Sequence, residues 1–100
     1  MDWDELTKYE TIPGRAISKG LQWEINEIFE GNPKRNSSNT TTIKTAAAKM
    51  VALSLGYNTL LQLNEKDLPE AQELADEFIS RIRQGRQRRG LKTGQPYKWR

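Results

Sequence analysis

An all-α fold is the prediction, and three observations carry it. Apolar residues recur at helical spacing in three stretches, within 15–30, 43–55 and 68–82. Gly, Pro, Asn, Asp and Thr stand at the edges of those stretches, where helices start and stop. The last twenty residues carry eight cations and no acid, a composition that suits an exposed tail rather than a packed element. The expected architecture is a small orthogonal or bundle-like packing of about four helices. A polar, mobile connector (31–42) interrupts it, and an irregular basic C-terminal tail follows it.

Along the chain, Asp2 and Glu5 have capping-box spacing, so a short first helix docked through Trp3 and Leu6 is expected. Pro13-Gly14 is turn chemistry and ends it. From Arg15 to Glu30, Ile17, Leu21, Ile25, Ile28 and Phe29 share one helical face, with Trp23 off the stripe. Gly31 suits the residue just past the helix, and Pro33 cannot continue it. Gly20 inside this helix marks either a close crossing or nothing.

Residues 31–42, GNPKRNSSNTTT, offer nothing to bury in quantity and are expected to be loosely ordered. Ile43–Leu55 follows as a helix with Thr41 or Thr42 as N-cap. Rich in Ala46, Ala47, Ala48 and Ala52, it is expected to be the central, most buried helix. Gly56 ends it, and Asn58 can cap a short element bearing Leu60, Leu61 and Leu63. Asp67, Pro69 and Glu70 then read as N-cap, first turn and capping box of another helix. Its stripe is Leu68, Ala71, Leu74, Ala75, Phe78, Ile79 and Ile82, and Glu77–Arg81 is an i,i+4 ion pair. Gly85, Gly90, Gly94 and Pro96 are expected to prevent its continuation. The division is therefore one helical domain over 1–84, with its internal connector, and a tail over 85–100.

Composition excludes several function classes. The chain has no Cys and no His, which removes disulfides, thiolate metal sites and the commonest general base. No Gly-rich phosphate loop follows a strand, and no Ser sits beside a base. The acids Glu70, Glu73, Asp76 and Glu77 lie on one helix without converging partners, so at most a weakly held divalent ion is expected there. The expectation is no enzyme, no catalytic residue, no metal and no cofactor. The longest apolar run is far below the ~20 residues of a membrane helix. The acidic start MDWDELTK has no apolar signal region, so a cytoplasmic (or, in a eukaryote, nuclear) protein that is not secreted is expected.

Charge gives the functional direction. Residues 1–80 hold eight cations against thirteen acids, a formal −5, so the total of +3 joins an acidic body to a basic end. A resemblance to helix-turn-helix spacing around Ala52 and Gly56 fails further on. Gln62 and Glu65 fall where core residues are wanted, and Glu65 and Asp67 would face the groove. An ordinary helical hairpin is expected instead. In the tail, Arg offers planar forks to phosphates and base edges. Tyr97 and Trp99 share a face of an extended chain and form a stacking platform.

The expected function is a non-enzymatic nucleic-acid-binding accessory protein, for DNA or RNA. Arg81, Arg83, Arg86, Arg88, Arg89, Lys92, Lys98 and Arg100 would meet phosphates, and Tyr97 and Trp99 would meet bases, with secondary help from Lys34 and Arg35. The alternative is an adaptor or assembly subunit, self-associating or bound to a protein partner, whose basic aromatic tail docks on an acidic surface. Membrane-surface binding ranks third, for want of an amphipathic period in the tail.

Overall fold

A computed structural model describes residues 12–32 and 38–94. Among these the chain is helical without strands. Three α-helices form the body: α1 (Pro13–Glu30), α2 (Thr41–Ser54) and α3 (Leu68–Arg88). Single 3-10 turns at Ser38–Thr40, Leu60–Gln62 and Glu65–Asp67 join them. The expected N-terminal helix falls outside the described residues.

The central helix is α1, not α2. It packs against both other helices and the Leu60–Gln62 turn, and it buries Ile17, Leu21, Ile25 and Ile28 of the predicted stripe, with Ala16 beside them and Phe29 only partly buried. The Ala-rich α2 buries only Ala47, Val51 and Ala52, while Met50 and Leu53 remain 48 % and 60 % exposed. Its even spread of apolar residues hid the fact that one narrow strip of small side chains makes the contact. From α3 come Ala71, Ala75 and Ile79 at i, i+4 and i+8, flanked by half-buried Leu68, Leu74, Phe78 and Ile82. Among the described residues each of the three helices buries at least one alanine completely, and so small a side chain lets neighbouring helices approach closely.

Helix α1 starts at Pro13, inside the expected turn, because Pro needs no amide partner in a first turn. Gly14 is required there. A Cβ on it would lie 1.9 Å from the Leu60 carbonyl oxygen, so the helix start seats directly on the backbone of the 60–62 turn. The other end stops as expected, with Gly31 left-handed at φ 68° and its N–H donated to the Glu27 carbonyl.

The connector differs from expectation on its C-terminal side. Thr40 is buried, its hydroxyl donates to buried Asn26 Oδ1 at 3.4 Å, and Thr41 and Thr42 already belong to α2. A small hydroxyl paired with a core amide can be buried where a polar run suggested solvent. The region after α2 has no recognition helix. Thr59 and Gln62 instead close a one-turn capping box, in which Gln62 Oε1 accepts from the Asn58 and Thr59 amides at 2.8 and 3.1 Å. A second box joins Asn64 to Asp67: Asp67 Oδ2 accepts from the Asn64 amide at 3.0 Å and from the Tyr57 hydroxyl at 2.8 Å. Asp67 stands at the expected N-cap position of α3, but its carboxylate closes the preceding turn and makes no cap hydrogen bond to α3.

The last correction concerns the boundary at Gln84. Helix α3 continues through Gly85 to Arg88, so residues 85–88 belong to the helical body. A lone interior Gly costs only ~1 kcal/mol against Ala, too little to stop a helix docked on both sides of it. The stop comes at Gly90, left-handed at φ 70°, where Gly90 donates to the Gln87 carbonyl and Leu91 to the Arg86 carbonyl. This paired arrangement satisfies the last carbonyls and reverses the chain.

Candidate nucleic-acid interface

The basic residues of α3 divide by helical position. Ala71, Ala75 and Ile79 continue at the same spacing into Arg83, with Ile82 and Arg86 beside it, so these two arginines fall on the side that faces the body. Arg83 reaches Glu24 on α1, its Nη1 2.5 Å from Oε2, with side chains only 16 % and 1 % exposed. At Oε2 the attraction is Coulombic rather than a well-directed hydrogen bond. Glu24 itself sits inside the α1 stripe, three residues after Leu21.

Arg83 Nε also donates to the Thr93 carbonyl at 3.1 Å, and Arg86 Nε donates to the Lys92 carbonyl at 2.7 Å. Arg86 stacks its guanidinium 4.7 Å above the Phe29 ring. Residues 91–94 are thereby held as a strap that runs back along α3. Gly94 ends the described chain against α1, where a Cβ would lie 2.7 Å from Glu27 Cγ. Two cations that looked like phosphate ligands are thus the fastenings of this strap.

Other cations point outward. Arg81 forms the expected exposed pair with Glu77 at 3.2 Å. Arg88 bonds its own helix at the Gln84 carbonyl and borders a shallow depression with Gln84 and Gln87. Arg89 and Lys92 are exposed around the helix end. The helix C-terminus favours cations electrostatically, so Arg86 and Arg88 in the last turn also stabilise α3. Lys34, Arg35, Tyr97, Lys98, Trp99 and Arg100 lie outside the described residues. Among the described residues no group of three or more acids gathers to hold a metal ion, and no helix is long and apolar enough to cross a membrane.

Sequence reasoning missed the internal roles of Arg83 and Arg86. The signal was present: one acid inside the stripe of α1, and two arginines on the continuation of the stripe of α3. No protein-family model, curated protein or solved structure matches the chain.

Proposed function

We propose that the protein is a non-enzymatic nucleic-acid-binding accessory protein of a reducing compartment, contacting DNA or RNA through its C-terminal end. One observation supports this reading most: beyond Glu77 the chain has no acid, and Arg88, Arg89 and Lys92 are exposed around the last turn of α3 and its cap. Exposed cations attract phosphates and release counterions on binding them. Gln84 and Gln87 beside Arg88 add neutral donors and acceptors. Arg81 extends the same end, and the tip residues Tyr97, Lys98, Trp99 and Arg100 add stacking and charge. Arg83 and Arg86 are assigned to the fold instead.

The test is fluorescence anisotropy with labelled single- and double-stranded DNA and RNA across a salt series. Three forms are compared: full-length protein, a version ending at Gly94, and the variant Arg88→Gln/Arg89→Gln/Lys92→Gln. Ending at Gly94 rather than at Gln84 keeps the strap and the last helical turn. The triple variant should lower the salt slope on duplex DNA by about 0.9 for each phosphate contact removed. Loss of binding in the Gly94 version would place the main contacts in the aromatic tip. No binding by full-length protein near physiological salt would end the proposal.

A second reading, an adaptor or assembly subunit, draws on α2. Met50 and Leu53 are three residues apart on its outer side and about half exposed or more, and Leu61 is 63 % exposed. Such apolar exposure suits a protein contact. That reading expects a complex that persists at high salt and is not displaced by free polynucleotide.

A further inference from the structure

Residues 38–64 contain Lys44 and Lys49 and no acid, although the first eighty residues together are acidic. Both lysines border a cleft of roughly 260 Å³ between α1, α2 and the turn that follows α2. Helical pitch explains the convergence. Ser18 and Gln22 stand one turn apart on α1, and Lys44/Ala48 and Thr45/Lys49 are matching pairs on α2. Gln22 Nε2 donates to Ser18 Oγ at 3.2 Å, leaving the Ser18 hydroxyl proton to serve another acceptor. Most of the lining surface is apolar, with Ala48 and Leu60 contributing to it.

The donor set decides the ligand class. Lys44, Lys49, Ser18 and Thr45 border the cleft with donor-bearing side chains, while no carboxylate lines it. Such a set is complementary to an acceptor-rich anion. A phosphoryl group, with three oxygens and close to two negative charges, can engage both lysines at once. A carboxylate has one charge to share between them. The volume lies just below the ~300–1,000 Å³ of drug-sized sites, which suits a sugar-phosphate-sized molecule.

We propose that this cleft binds a small phosphorylated organic molecule. Its phosphoryl oxygens meet Lys44, Lys49 and the two hydroxyls, and its carbon skeleton rests on Ala48 and Leu60. The site shares no residue with the cationic C-terminal end and does not depend on nucleic-acid binding there.

The experiment titrates the full chain with ribose 5-phosphate in phosphate- and sulfate-free buffer, following backbone amides by ¹⁵N–¹H correlation spectra. Ribose and inorganic phosphate are titrated in parallel. Saturable shifts should cluster at Ser18, Gln22, Thr45, Lys49 and Thr59. In Lys44→Gln/Lys49→Gln the Kd should rise by about tenfold or more, since each charged hydrogen bond lost is worth about that factor. The thermal midpoint of that variant should stay near the original, because Lys and Gln have similar helix propensity. Inorganic phosphate binding at the same residues supports recognition of the phosphoryl group, and tighter binding of the ester assigns the rest of the cleft to the sugar. Ribose binding as tightly as its phosphate, shifts that never saturate, or an unchanged Kd in the double-lysine variant would each overturn the proposal.

Discussion

Arg83 on α3 holds the Glu24 carboxylate of α1 through Nη1 and the Thr93 carbonyl of the strap through Nε. One side chain thus joins two helices to the reversed chain that follows the second. Glu24 is nearly inaccessible, and Arg83 brings a cation into ion-pair contact with it there. Breaking a buried pair on one side typically costs about 3–5 kcal/mol, because the remaining charge stays in a poor environment. Arg83→Met should lower the denaturation midpoint by an amount of that order in urea unfolding. Glu24→Gln/Arg83→Met should recover part of the loss. Equal midpoints for wild type and Arg83→Met would remove the ion pair from the account of stability.

Gly85 lies inside α3 with open space where a Cβ would stand. It has no positive φ, so alanine fits the backbone as it is. Gly85→Ala should stabilise the protein by about 0.4–1 kcal/mol, largely by restricting the unfolded chain. Thermal unfolding checks this. A lower midpoint would mean that α3 does not run through this position in solution.

Gly14 gives the opposite result. Its neighbour is the Leu60 carbonyl, a backbone atom that cannot swing away. Gly14→Ala should destabilise by about 1–3 kcal/mol despite the better helix propensity of alanine. The loss should appear as a shifted denaturant midpoint. Retained stability would show that α1 does not seat on the 60–62 turn.

Tyr57 supplies a pH dependence. Its hydrogen bond to Asp67 raises the phenol pKa above the usual 10.0, and burial and the Asp67 charge act in the same direction. The folded protein therefore keeps this proton to higher pH than the unfolded chain does. The stabilisation is fully present below about pH 10 and is lost as pH rises through the folded-state value. Thermal midpoints measured from neutral to alkaline pH should fall less steeply at the alkaline end for Tyr57→Phe. Identical profiles would dismiss the link.

The sequence makes local features plain and leaves long-range polar partners hidden. The α1 stripe, its stop at Gly31, the α3 stripe and the Glu77–Arg81 pair depend on residues within a few turns of one another, and spacing alone reveals them. The burial of Thr40 depends on Asn26, and the role of Arg83 depends on Glu24, each set by how helices pack. Polarity alone pointed both residues toward solvent. Gly85 and Gly90 look equivalent in sequence, but only Gly90 needs a left-handed backbone. At the candidate interface, the cationic composition was legible. The division into arginines that fasten the strap and cations that face outward required the register of α3 against α1.

Ala16, Ala47, Ala52, Ala71 and Ala75 are completely inaccessible. With backbones so near, these positions have room for little beyond a methyl group. A comprehensive substitution survey should therefore find growth penalised at the alanines more sharply than exchange among larger apolar residues at the flanks, such as Leu74 and Phe78. Over many generations the half-covered bulky positions can drift in identity, while the smallest side chains stay fixed as the spacing gauge of the three helices.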